Sequence, residues 1–205
     1  MWQLYRLDWK NNLIDNFRLL EESKPVELEN AEMKEFLKIK SLGTINRKNK
    51  IFLPAKTLNG QVGIRLASEF ISNNGNVYLI DEGWFKNDYQ SYFKSNNDIF
   101  EDIVIGYIRF PRDGNLFTPN NNLKKNEWYT YDLTLISDFF DTNLNNKFFI
   151  KKMNINKENF LIASNGKHEL RNNHLQYAIT WFCMSFSFLV IFLVNIKKIN
   201  KRKSI

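Results

Sequence analysis

The sequence predicts an α+β protein. A predominantly β outer domain, built as a twisted sheet or partly closed barrel, follows an amphipathic helix and precedes an apolar transmembrane helix. Three observations carry this prediction. No charged residue occurs between Leu175 and Ile196, a stretch about 33 Å long as a helix at about 1.5 Å per residue, enough to cross a bilayer core of about 30 Å. Between positions 34 and 110, short runs of β-branched and aromatic residues are separated by Asn, Gly and Pro, the punctuation of strands and turns. Two stretches, 2–22 and 132–140, instead repeat their apolar residues at helical spacing.

In chain order, Trp9, Leu13, Phe17 and Leu20 form the apolar stripe of the first helix, with Asp8, Lys10, Asp15 and Arg18 between them and Pro25 to end it. Phe36, Leu37 and Ile39 mark one strand, and Ile51, Phe52 and Leu53 a second that Pro54 stops. After Asn59-Gly60, residues 61–71 alternate loosely, and Asn73-Asn74-Gly75-Asn76 joins them to Val77-Tyr78-Leu79-Ile80 as a hairpin with a longer loop. Residues 86–98 are polar and expected to be exposed. Ile103 to Phe110 is a further strand stopped by Pro111, and an Asn- and Lys-rich loop runs from Arg112 to Glu127. Leu133, Ile136, Phe139 and Phe140 fit a helix stripe with Asp132 as its cap. Residues 148–153 and 160–163 are expected as late strands. The resulting division is a juxtamembrane helix over 1–22, the outer domain over 23–173, the transmembrane helix over 174–196 and a basic cytoplasmic tail over 197–205.

Charge sets the expected orientation. Lys197, Lys198, Lys201, Arg202 and Lys203 follow the span with no acidic residue among them, while Lys167 and Arg171 before it are offset by Glu169. An excess of Lys and Arg marks the cytoplasmic or matrix side, so the main domain is expected in the periplasm of a bacterial cell inner membrane, or across the mitochondrial inner membrane in a eukaryote. Export of such a domain needs a signal peptide or an earlier span; a first transmembrane helix ahead of Met1 is therefore expected. Tail anchoring with a cytoplasmic domain contradicts the charge asymmetry. The net charge of +7 comes mostly from the tail, which leaves the rest of the chain near +2. That excludes a nucleic-acid footprint. The single cysteine, Cys183, lies in the span, so no disulfide supports the outer domain.

Few residues point to chemistry on their own. Asp81-Glu82 suggests acid–base work, but adjacent strand residues face opposite ways, and a solvated strand end is the plainer expectation. Asp132 is a cap before it is an acid, and His168 a surface residue. Trp84, Phe85, Tyr107, Phe110, Trp128 and Tyr129 are expected mostly in the core. Projected at 100° per residue, His174, Ala178, Trp181, Ser185 and Phe188 share one helix face. Gln176, Thr180, Cys183 and Ser187 form a small, polar stripe suited to helix–helix contact in lipid. Tyr177 and Trp181 sit where amphipathic rings favour the membrane interface. His174 is on plain reading an interfacial polar residue at a helix start.

Four stretches carry a family resemblance: Arg171-Asn172-Asn173-His174-Leu175-Gln176-Tyr177-Ala178-Ile179-Thr180-Trp181-Phe182; Trp2-Gln3-Leu4 with Trp9-Lys10 and Leu13-Ile14; residues 77–85, ending Gly83-Trp84-Phe85; and Asn126, Trp128 and Asp132 with Pro119 upstream. In order and over nearly the whole chain, they resemble the Surfeit locus protein one family of cytochrome c oxidase assembly factors, whose members have two spans flanking one outer domain. Asp81-Glu82 stands where the family usually has Asn-Arg. The resemblance implies a membrane chaperone, not an enzyme. Its partner would be the cytochrome c oxidase catalytic subunit, and its cofactor or cargo haem a. His174 would be the haem-iron ligand, with Trp181, Arg171 and Tyr177 around it and Lys167 also able to meet propionates. A structural scaffold for oxidase subunits that never touches haem is the rival. A membrane enzyme is disfavoured, because the sequence has no nucleophile–base or metal constellation.

Overall fold

The computed structural model describes residues 5, 6, 8, 9, 12, 23–164 and 174–203. The chain divides into two compact units, Leu20–Asn165, and Met1–Leu19 together with Gly166–Ile205. In the second of these, positions 5, 6, 8, 9 and 12 are helical; the rest of the predicted 2–22 helix lies outside the described residues.

The unit Leu20–Asn165 is built on a six-stranded sheet. Its strands are β1 (Val26–Glu27), β2 (Lys38–Leu58), β3 (Gln61–Ser72), β4 (Val77–Lys86), β5 (Ile99–Arg109) and β6 (Phe149–Lys152). Their order is β1-β2-β3-β4-β6-β5, and β2 also pairs with β5. The sheet thus closes into a ring, with β1 added in parallel outside β2. Ring closure removes two exposed sheet edges over the paired length. The short helices α1 (Gln90–Ser95) and α2 (Leu133–Phe140) cover it.

Length lets β2 serve β5 and β3, beside its short pairing with β1. Residues 38–46 pair with β5, and the strand then continues beside β3 as far as Leu58. The two runs expected as separate strands are therefore one, and Pro54 does not end it. Pro54 pairs with Ile64 of β3 in a stretch where β5 no longer flanks β2, so the N–H that proline lacks has no ladder partner to lose. Residues 86–98 are largely exposed, as expected, but they include α1, whose Phe93 is fully buried against Phe52, Leu66, Phe85 and Leu161. Of the two aromatics on this helix, Tyr92 is exposed and Phe93 ties the segment to the core. The 160–163 strand reduces to one bridge, Trp84 with Ile162.

Besides the cluster around Phe93, two further cores pack on the sheet. Inside the ring lie Ile39, Ile45, Phe70, Ile80, Val104, Ile108 and Ile150. The other face packs Ile51, Leu53, Ala67, Leu79 and Phe149 against Trp128 and the apolar stripe Leu133, Ile136 and Phe140 of α2. That helix begins as its sequence predicts, with the Leu135 backbone N–H donating to Asp132 Oδ1 at 3.0 Å. Trp84, Phe85, Tyr107 and Trp128 are buried as expected, whereas Tyr129 is exposed.

Candidate functional site

The helix singled out by sequence is present as α3, His174–Lys203. Within it Gln176–Lys197 is long and apolar enough to cross a membrane. Ala178 is buried, and every side chain from Ile179 to Lys197 is exposed. An uncovered apolar surface of this length is unstable in water and suited to lipid. Two of its hydroxyls are satisfied within the helix: Thr180 Oγ1 donates to the Tyr177 carbonyl at 2.7 Å, and Ser187 Oγ to that of Cys183 at 2.8 Å. That arrangement suits a medium without water, and it occupies two members of the polar stripe. Of the proposed haem residues, Tyr177 and Trp181 lie one turn apart and are both exposed. His174 is the first residue of α3. Arg171, like Lys167 and His168, lies outside the described residues.

The β domain holds a constellation that the sequence did not reveal. Asp81 and Glu82, expected at a solvated strand end, are both 0% exposed. The register explains how. Between Ala67–Asp81 and Leu66–Gly83, β4 carries one extra residue, Glu82. Between Asn46–Glu69 and Lys50–Ser68, β2 bulges by residues 47–49. The two bulges aim Arg47 and Glu82 at each other, since bulges re-aim side chains as well as strands.

Arg47 Nη2 lies 2.7 Å from Glu82 Oε2, and its Nε donates to both Glu82 oxygens at 3.2 Å. The guanidinium also pairs with Glu158, at 2.5 Å through Nη1 and 3.0 Å through Nη2. Ser68 Oγ donates to Glu82 Oε1 at 2.7 Å. The rings of Phe100 and Phe93 lie 5.0 and 5.6 Å from the Arg47 guanidinium carbon. Burial opposes the arginine charge, but the bonds and charges of Glu158 and Glu82 outweigh it and hold Arg47 protonated beyond its ordinary range. Burial and the Arg47 charge push the nearby Lys50 down. The three groups form a buried, mutually bonded ionic lock that ties β2 to β4 and to the segment after β6.

Glu158 sits on the segment that follows β6. Burial works to raise its pKa, but the Arg47 hydrogen bond and charge prevail and bring it below its ordinary 4.5. A carboxylate with a depressed folded value contributes stability that is complete above its unfolded pKa and lost as pH falls through the folded one. Glu158→Gln should therefore lower the urea midpoint at neutral pH and flatten its fall below that ordinary value of 4.5. Urea titrations across the acid range check this.

On the other face, Asp81 Oδ2 accepts from Arg65 Nε at 2.7 Å and Tyr131 Oη at 2.8 Å. Asp81 and Glu82 thus face opposite ways, as strand geometry required, and do not share a site. Beyond Tyr131 opens a cleft of about 320 Å³, lined by Arg109, Arg112, Lys151, Thr118, Tyr129 and Tyr131 among others. Tyr131 stacks on Phe149 at 4.2 Å, and Glu35 Oε1 bridges Arg109 at 3.2 Å and Arg112 at 3.1 Å. Sequence reasoning missed this cleft too. Its cations come from β5, β6 and a loop, and nothing local announces that they converge.

The SURF1 family profile matches residues 1–186. A SURF1-like protein of Rickettsia prowazekii is 31% identical over 202 residues, covering 94% of this chain and 82% of that protein. The SURF1-like protein of Rickettsia felis is 27% identical over 201 residues, covering 94% and 88% respectively. Surfeit locus protein 1 of Homo sapiens is 24% identical over 206 residues, covering 90% and 68%. With a match that takes in the β domain and the first half of α3, this chain belongs to the SURF1 family.

Proposed function

We propose that the protein is a membrane-anchored assembly factor for a haem–copper cytochrome c oxidase, helping to deliver haem a to the catalytic subunit or to stabilise that subunit while it is loaded. The observation that carries this reading is the exposed apolar helix α3, which opens at His174 in a chain of the SURF1 family. An exposed helix of this kind lies in lipid, with the basic cluster Lys197–Lys203 on the cytoplasmic or matrix side and the β domain across the membrane.

Haem a is cargo in this reading. Its flat macrocycle and isoprenoid tail suit a helix surface at the lipid boundary, and the exposed Tyr177 and Trp181 rings fit such a ligand. His174 would supply an imidazole nitrogen to the iron. Arg171 and Lys167 would pair with propionates. The protein holds and hands over; it makes or breaks no bond in its client.

The test is the absorption spectrum of the detergent-purified chain from cells that make haem A, beside His174→Ala. A Soret band in the parent and at least a tenfold smaller one in the variant is expected, about 1.4 kcal/mol or more of lost binding. A colourless, folded parent that still co-purifies with an oxidase subunit would replace this reading with the scaffold.

A further inference from the structure

We infer that the loop between β5 and α2 is a second, peripheral membrane contact that recognises anionic lipid headgroups. The tip of this loop, Leu116-Phe117, carries the two most exposed large apolar side chains among the described residues, at 100% and 92%. They are presented by a fixed turn and not by a loose one. The Asn115 N–H donates to Thr118 Oγ1 at 2.9 Å, the Phe117 N–H to Asn115 Oδ1 at 3.0 Å, and the Thr118 N–H to the Asn115 carbonyl at 2.9 Å. At Gly114 a Cβ would sit 2.8 Å from that of Thr118, so glycine lets the turn close. A rigid turn that holds Leu and Phe in water gains by inserting them, with little ordering left to pay for.

Charge identifies the occupant. Arg109, Arg112 and Lys151 line the cleft together with Asp113, Gly114 and Asn115 of the turn and the hydroxyl-bearing Thr118, Tyr129 and Thr130. Glu35 bridges the two arginines, so three cations meet two carboxylates and the cleft stays net positive. Arg109 is held between Glu35 and the Phe36 ring, 4.6 Å from its guanidinium carbon, which fixes its direction. Arg112 is 68% exposed at the rim. Two arginine forks and hydroxyl donors suit a phosphate, and Leu116 and Phe117, in the same turn as the lining residues Asn115 and Thr118, suit the acyl chains attached to it. A soluble anion would leave Leu116 and Phe117 unexplained. An apolar protein partner would leave the cations unexplained. A phospholipid of net negative charge uses both.

The test uses the full chain with Cys183→Ser and a single environment-sensitive dye, placed by Leu116→Cys at the tip or by Phe186→Cys in α3. Nanodiscs of phosphatidylcholine alone are compared with nanodiscs of equal parts phosphatidylcholine and phosphatidylglycerol. The α3 reporter should shift to the blue in both lipids. The tip reporter should shift, and lose iodide quenching, only with phosphatidylglycerol. High salt should reverse the tip shift, Arg112→Ser and Phe117→Ser should each abolish it, and Arg112→Lys should keep it. A tip reporter that stays in water with phosphatidylglycerol, or that shifts equally in both lipids, overturns the inference. An aqueous α3 reporter instead sinks the membrane anchor, so the two readings fail separately.

Discussion

Arg47→Met should destabilise the β domain by about 3–5 kcal/mol, more than any surface charge change elsewhere in the chain. The substitution removes the cation bonded to Glu82, which is fully buried and keeps among the described residues the Ser68 hydroxyl, and it also releases Glu158. A carboxylate stranded in that position must either protonate or draw water into the ring. Urea unfolding of the detergent-solubilised chain, followed by tryptophan fluorescence, measures the loss. The double change Arg47→Met with Glu82→Leu should recover most of it, because what costs so much is an uncompensated charge and not the absence of a pair. If Arg47→Met falls within about 0.5 kcal/mol of the parent, the size of an ordinary surface change, Arg47 is not buried as described.

Gly83→Ala is the second large effect. Gly83 has φ of +145°, a region essentially closed to residues with a Cβ, at a cost of about 1–3 kcal/mol. The added Cβ would also lie 2.3 Å from the Ile162 carbonyl oxygen. That carbonyl accepts from the Trp84 N–H at 2.7 Å, and the Ile162 N–H returns a bond of 2.7 Å to the Trp84 carbonyl. Glycine therefore does two things at this bulge: it permits the backbone turn that buries Glu82, and it leaves room for the 160–164 segment to lie on β4. With overpacking adding about 1–3 kcal/mol, the melting temperature should drop by several degrees. Hydrogen exchange at Trp84 and Ile162 should rise more than in the β2–β3 hairpin. Unchanged protection at those two amides would mean that the segment does not depend on Gly83.

The neighbouring glycine works differently. At Gly63 a Cβ would fall 2.0 Å from the Trp84 indole, so the ring itself covers the glycine across the β3–β4 pair. The Gly83-Trp84 dipeptide, recognised first as a family motif, is thus a packing device. It docks the segment after β6 on one side and fills the gap over β3 on the other.

Most of the elements were legible because their signals are local. The Asn59-Gly60 turn, the hairpin loop 73–76, the Asp132 cap and the α2 stripe need only neighbours in sequence to be read. Pro54 misled because its penalty depends on whether a second strand flanks it, and β5 stops short of it. Segment 86–98 is largely exposed, as its composition says, but its Phe93 caps a core assembled from four other elements, which no local pattern announces. Asp81 and Glu82 misled most, since their composition says water while their bulged register says core.

By itself the sequence determined the apolar helix, the charge asymmetry around it, the strand and turn order, and the family. Each of these is written in residue type at short spacing, where hydropathy, charge and turn chemistry act directly. Only the tertiary structure decided that the sheet closes on itself through β2 and β5. It also decided that Arg47 finds Glu82 and Glu158, 35 and 111 positions away, and that Arg109, Arg112 and Lys151 converge on one cleft. Those outcomes depend on which distant strands pair and where they bulge. That choice is made by the packing of the whole domain, and no local pattern encodes it.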